Sequence, residues 1–360
     1  MAERRARVPS RPGHRAKQRL AEACMAVTAR GMAVLTALIL AALIAVLAWT
    51  SVPSIRAYGA GFVTGSDWRP NELEVPKRDA NGHVIREDGE TVKETIPPSF
   101  GALPVIWGTA VSSLLALLFA APIGIGAALF LVRVGRERIL RPVSFMVEFL
   151  AAIPSIAYGM WGLMVLAPLL QNHVEPALRG VLDIPGLHWL FRETIQVGGS
   201  EVARELPLTG RDMLCGGLVL GIMILPIVTA VARDVLRAVP RHQVEGSLAL
   251  GANWWQSSRH MLRCARSGLL GAVMLGIARA SGETMAVTMV IGNNNQLKAS
   301  IFAPAQTMSS LLANEFAETT TEMHRAALTE VALLLLVMSL FFNVVARLLV
   351  VGRSSRGLRA

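Results

Sequence analysis

The sequence predicts an all-α polytopic membrane protein with six transmembrane helices. Of its 360 residues, 53% are hydrophobic, and the mean hydropathy is +0.48. That is too apolar for an ordinary soluble domain. Six stretches also reach the ~20 apolar residues that a helix needs to cross a bilayer. They lie at 31–52, 103–132, 145–170, 213–232, 268–291 and 327–351.

The distribution of charge orients these segments. With six crossings, one side holds 1–30, 133–141, 233–266 and 352–360, with 21 Lys and Arg in 82 residues. The other side holds 53–101, 171–212 and 292–326, with 12 in 126 residues. The positive-inside rule then predicts that the first set and both termini are cytoplasmic. The formal net charge of +10 is therefore read as topological rather than as a nucleic-acid footprint. The tail "MAERRARVPSRPGHRAKQRL" contains no aromatic residue and reads as an anchor that touches anionic lipid.

The element order begins with a cytoplasmic basic tail, 1–30. The first segment, 31–52, exceeds a normal signal-peptide core and is expected to be a retained span. In the polar outer loop 53–98, Asn81-Gly82 and Asp88-Gly89 flank the alternating run His83–Arg86 and predict a small hairpin. Residues 99–352 form the core, with the other five spans. The third span carries Pro154, Gly159, Gly162 and Pro168, which predict a bent helix with close neighbours. Glu148, near its cytoplasmic end, reads as an interfacial acid or an intramembrane partner for a neighbouring helix. In the outer loop 171–212, Trp189 and Phe191 are expected at the membrane interface. A cytoplasmic tail, 353–360, closes the chain.

The cytoplasmic loop 233–266 reads "RDVLRAVPRHQVEGSLALGANWWQSSRHMLRCAR" and is too long for a simple turn. Pro240 breaks it, and Gly251 interrupts an apolar pattern made by Val244, Leu248 and Trp255. This predicts two short helices bent at Gly251, where glycine permits backbone angles that other residues resist. Glu245 is expected in the first turn of a helix, favoured there by the macrodipole. Periodicity alone leaves two readings open: an amphipathic segment that packs on its own bundle, or a docking element anchored by Trp254 and Trp255.

Catalytic chemistry is not expected. The lysines are Lys17, Lys77, Lys93 and Lys298, and none follows a glycine, so there is no phosphate-binding loop. His-Glu-x-x-His and Gly-x-Ser-x-Gly motifs do not occur. Cys24, Cys215 and Cys264 have no metal-ligand or redox spacing and read as small apolar fillers. No cofactor is called for.

The fifth span carries "GIARASGETMAV" at 276–287. Arg279 lies about 11 residues in, roughly 17 Å at 1.5 Å per residue, near mid-bilayer. An arginine there costs on the order of 3 kcal/mol or more unless it faces protein or water. Glu283 is expected one turn further along the same face. The pair reads either as a self-neutralising intrahelical ion pair or as the lining of a polar path.

Several motifs together resemble a known family. "EGSLALGANWWQ" is similar to the cytoplasmic loop of binding-protein-dependent ABC-importer permeases, whose pattern is Glu-Ala-Ala, three residues, then Gly. "FGALPVIWGTAVSSLLALLFAAPIGIGAALFL", "FLAAIPSIAYGMWGLMVLAPLL", "MILPIVTAVARDVLRAVPR" and "GIARASGETMAVTMVIGN" resemble phosphate-transporter permeases of the PstC type. The resemblance covers most of 99–352. Two departures stand out: Gly246 and Ser247 replace the paired alanines, and "MLRC" at 261–264 places Arg263 at a site usually apolar.

The resemblance implies a type I ABC-importer permease fold and a subunit forming half of a translocation path. Implied partners are a second related permease, two copies of a cytoplasmic ATPase, an extracytoplasmic phosphate-binding protein, phosphate and membrane lipid. It implies ATPase coupling through Glu245, Gly251, Ala252, Trp254 and Trp255; the charges of Arg279 and Glu283 inside an apolar span make these two the candidates for the substrate pathway. Rival readings are an ABC permease for another oxyanion, a channel or secondary transporter that needs no ATPase, and a non-transporting scaffold or sensor. An inverted repeat would favour the channel or transporter, and a substantial soluble domain would favour the scaffold. The sequence shows neither.

Overall fold

The computed structural model describes residues 12–76, 86–87, 90–91, 93–134, 137–184, 187–197 and 200–354. The chain opens with the long helix α1 (Pro12–Tyr58) and the single turn α2 (Gly61–Thr64). A nested antiparallel ladder follows. In it β1 (Trp68–Arg69) pairs with β6 (Ser99–Phe100), β2 (Leu73–Pro76) with β5 (Lys93–Ile96), and β3 (Arg86–Glu87) with β4 (Glu90–Thr91). The innermost pair flanks Asp88-Gly89; residues 77–85 of the expected hairpin lie outside the described ones.

Helix α3 (Leu103–Arg133) is followed by α4 (Glu137–Ala152). A composite helix then runs through α5 (Ser155–Trp161), α6 (Ala167–Leu169) and α7 (Glu175–Leu182), joined by π-turns. Next come the hairpin β7 (Arg192–Val197) and β8 (Ser200–Glu205), then α8 (Met213–Arg237), α9 (Arg241–Ala249), α10 (Trp254–Cys264), α11 (Arg266–Ser281) and α12 (Met285–Val290). Helices α13 (Met308–Glu315) and α14 (Glu322–Ser354) complete the order.

Among the described residues, four helical stretches are long and apolar enough to span a membrane: Glu22–Tyr58, Leu103–Arg133, Met213–Arg237 and Glu322–Val345. Two bent pairs, Pro142–Ala152 with Ser155–Leu182 and Trp254–Cys264 with Arg266–Ser281, bring the number to six if each is one span.

Helix α8 forms the centre. Its N-cap Asp212 accepts a 2.8 Å hydrogen bond from the Cys215 amide, which satisfies one orphan donor of the first turn. Helix α3 lies along α8. It carries the buried small residues Ala116, Ala120, Gly124 and Ala128 at four-residue spacing, the kind of stripe that lets helices approach closely within a bilayer. By contrast, the apolar side chains of α1 from Met25 to Val46 are exposed, and burial on this helix begins near Ser51.

The strand ladder is pinned to the bundle. Trp68, Phe62 and Phe100 bury their rings together, and the Trp68 indole N–H donates to Glu315 Oε2 at 2.9 Å. His324 Nε2 lies 3.1 Å from the same oxygen, with its ring stacked on Phe100.

Four expectations require correction. The third apolar segment, 145–170, is not one continuous helix: the bend expected from its prolines and glycines is a sharp turn of 92° between Ala152 and Ser155. Ile153 precedes Pro154, and a residue before proline disfavours the helical region. The fifth segment, 268–291, is interrupted at 282–284. Phe191 is not interfacial; it is fully buried, stacked on Phe302 at 4.7 Å, while Trp189 beside it is half-exposed. Of the cysteines only Cys215 is buried; Cys24 and Cys264 are exposed.

Candidate functional site

The interruption at 282–284 shapes the first candidate site. Gly282 and Thr284 are poor helix formers, and the Ser281 hydroxyl folds back onto the Ala278 carbonyl at 3.1 Å, competing with the helix ladder. Helix α11 therefore stops at Ser281, and α12 starts at Met285. Arg279 occupies the last turn of α11, where the negative end of the helix dipole favours a cation. Its side chain is exposed in this subunit, whereas Glu283 is half-buried.

The intrahelical ion pair, one of the two readings the sequence left open, does not form in this subunit. Glu283 lies beyond the helix end, and among the described residues no ion pair joins it to Arg279. Its carboxylate instead faces the Ala286 amide at 3.5 Å, at the start of α12. Arg279, Glu283 and Gly282 line an open groove of about 500 Å³ with Ile227 and Leu275. The groove thus has an apolar wall and one group of each charge, unpaired with each other.

A residue that sequence reasoning missed also meets this break. Ser309 Oγ donates to the Glu283 carbonyl at 2.7 Å. Ser309 sits in the first turn of α13, whose N-cap Thr307 forms a capping box with Ser310. The Thr-x-x-Ser spacing was the available signal for that helix start. Nothing local in the sequence indicates a contact 26 residues away.

The second candidate site is the loop between α8 and α11. Its two helices, α9 and α10, are separated by a turn in which Gly251 has φ +84°. An added Cβ would meet no neighbour there, so the left-handed backbone, rather than space, calls for glycine. The Ala252 amide donates to the Ser247 carbonyl at 3.1 Å. Asn253 and Gln256 form a capping box at the start of α10, with bonds of 2.8 and 2.9 Å. Ser247, which stands where the resemblance expects alanine, bonds the Ser257 hydroxyl at 2.9 Å and ties α9 to α10.

Trp254 and Trp255 are 45% and 65% exposed, and so accessible to another chain. Glu245 requires a correction. Helix α9 begins at Arg241, so Glu245 is its fifth residue and lies outside the first turn. The expected gain from the helix dipole is absent because Pro240, rather than a residue nearer Glu245, is the N-cap. Glu245 instead lines an open groove of about 660 Å³ with Leu131, Arg133, Leu236, Leu248 and Met261. Glu148 belongs to α4, which packs along α8; its side chain lies outside the described ones.

Residues 120–353 match the family described as binding-protein-dependent transport system inner membrane component. The chain belongs to this family. The matched range contains the helix break, the α9–α10 loop and the composite helix. Membership makes the protein a multi-pass inner-membrane transport component, not an enzyme, that works with a substrate-binding protein and an ATPase. The type I importer permease is its fold class.

The permease has close relatives of known designation. It is 34% identical to the phosphate transport system permease protein PstC of Mesorhizobium japonicum, over 94% of this chain and 92% of that one. It is 37% identical to PstC of Haemophilus influenzae, over 88% and 89% of the two chains. It is 35% identical to PstC 1 of Mycobacterium tuberculosis, over 82% of each. Among solved structures, a chain of the inward-facing MetNI methionine ABC transporter aligns with TM-score 0.49 and 16% identity, covering 69% of this chain and 94% of that one.

Proposed function

We propose that the permease forms half of the translocation path of an ATP-driven phosphate importer. The observation that carries this is its identity of 34–37% with PstC permeases over about nine-tenths of both chains. The other half of the path is a second, related permease. Two copies of the ATPase dock on the paired α9–α10 loops, and a phosphate-binding protein delivers substrate to the outer face. Both termini are cytoplasmic, as the arginine asymmetry suggests.

Transport proceeds by alternating access. Closure of the ATPase dimer shifts the helix equilibrium only through contacts that differ between the two states, and the exposed Trp254 and Trp255 offer such contacts. Along the path, Arg279 gives passing phosphate a transient positive partner, because an unpaired anion in a low-dielectric passage is strongly disfavoured. Glu283, lining the same groove, keeps the arginine from holding the anion too long. High affinity belongs to the binding protein, since the groove offers one cation.

The test is to co-purify the permease with its partners, reconstitute the complex and measure ATP-dependent uptake of labelled phosphate. Uptake that depends on phosphate-binding protein supports the assignment. Uptake of a different oxyanion with no phosphate transport refutes the substrate. Labelling of a Trp254→Cys variant by an impermeant thiol reagent from outside the cell would refute the orientation.

A further inference from the structure

A helix that stops inside a bilayer leaves carbonyls without their usual amide donors, and each such group costs several kcal/mol if unsatisfied. At the end of α11 some of these are met locally. The Glu283 amide reaches the Ala280 carbonyl at 3.3 Å, and the Thr284 hydroxyl reaches the Gly282 carbonyl at 3.4 Å. The Glu283 carbonyl is met from a different element, by the buried Ser309 hydroxyl at 2.7 Å.

Ser309 is itself held from two sides. Thr307 Oγ1 lies 3.1 Å from its hydroxyl oxygen and can donate to it. The first amide of α13, at Met308, donates to Thr109 Oγ1 on α3 at 2.9 Å, and the Thr109 hydroxyl donates in turn to the Val105 carbonyl at 2.7 Å. Gly108 lets this contact form: a Cβ there would sit 2.2 Å from the Gln306 carbonyl oxygen. A frame of hydrogen bonds thus runs from α3 through the start of α13 to the peptide between Arg279 and α12.

We propose that Ser309 is a positioning residue for permeation, holding the Glu283 peptide so that Arg279 and Glu283 face the same groove. It rests on the reading of those two residues as pathway groups. Ser309 touches no substrate; it fixes the break through which both charges are presented. The alternative geometry is one in which the unheld 282–284 segment rewinds or swings, removing Glu283 from the groove while the bundle stays assembled.

The experiment uses the complete reconstituted importer with Ser309→Ala and Ser309→Cys. Phosphate uptake and binding-protein-stimulated ATP hydrolysis are both measured per assembled complex. Ser309→Ala is expected to lower uptake about tenfold, the scale of one lost buried hydrogen bond, with ATP hydrolysis within about twofold of wild type. Ser309→Cys, a weak donor of nearly the same shape, is expected to fall between the two. A general structural defect would lower uptake and hydrolysis together, and that result overturns the proposal, as does normal uptake by either variant. If Ser309→Ala does not assemble, Ser309→Cys decides on the same ratio. Arg279→Gln is run alongside. If it abolishes uptake while the Ser309 variants are normal, only the positioning role fails; if Arg279→Gln transports normally, the pathway reading itself fails.

Discussion

The guanidinium of Arg133, at the end of α3, lies 6.0 Å above the Trp254 ring and donates to the Ser257 hydroxyl at 3.2 Å. A span is thereby joined directly to helix α10. Trp254 has this partner within the chain, whereas Trp255 projects outward beside it, with ring centroids 6.2 Å apart. The two tryptophans are predicted to separate in function. Trp255→Ala should leave the melting temperature of the purified permease unchanged but reduce retention of the ATPase on co-purification. Trp254→Ala should lower both, losing about 0.5–1 kcal/mol of cation–π interaction. Equal effects of the two changes on melting would show that the Arg133 contact contributes nothing.

Gly251 sets the angle between α9 and α10 through its positive φ. Valine resists that conformation, at a cost of about 1–3 kcal/mol. Gly251→Val should leave insertion and assembly largely intact while uncoupling ATP hydrolysis from transport. Glu245→Lys acts through the groove beside Arg133 and Arg237 rather than through a helix start, and should have the same direction of effect. Binding-protein-stimulated ATPase activity in the reconstituted complex is the readout. Full stimulation with normal uptake in both variants would leave the loop as a purely structural segment.

Asp212 is fully buried at the N-cap of α8, and its carboxyl is pushed up to about 8, first by burial and further by the neighbouring Glu175 carboxyl. Unfolded, the same group titrates near the usual ~3.9. Between those values the folded state holds more protons than the unfolded one, so stability falls as pH rises through that window. It is fully present below about pH 4 and lost progressively towards pH 8. Asp212→Asn keeps an oxygen acceptor for the Cys215 amide but cannot ionise. Its melting temperature should therefore fall less than wild type between pH 5 and pH 8. Parallel curves would mean that Asp212 does not titrate in this range.

Much of this architecture was legible because it depends on length and composition. Four spans coincide with long apolar runs, and the α9–α10 bend was readable from one glycine in a polar segment. The bend at 153–154 was signalled by Pro154, although its size was not, whereas the break at 282–284 was hidden because both its flanks are apolar and hydropathy reads straight through it. Glu245 was misplaced because helix starts depend on the N-cap, here Pro240, and periodicity fixes such boundaries poorly. Phe191 looked interfacial because its stacking partner Phe302 is 111 positions away. The contact of Ser309 with Glu283 was invisible for the same reason: it is made by tertiary packing, between two segments that are locally unremarkable polar interruptions.

The central claim is that Arg279 and Glu283 serve the path rather than neutralise each other. The most direct measurement is phosphate uptake by Arg279→Gln, Glu283→Gln and the double variant, each normalised to assembled complex. Arg279→Gln should abolish or sharply reduce uptake, Glu283→Gln should be milder, and the double variant should remain as inactive as Arg279→Gln. A purely structural pair makes the opposite prediction, because removing both charges relieves the uncompensated one that makes each single change costly. Recovery of uptake in the double variant, or normal uptake by Arg279→Gln alone, would contradict the account.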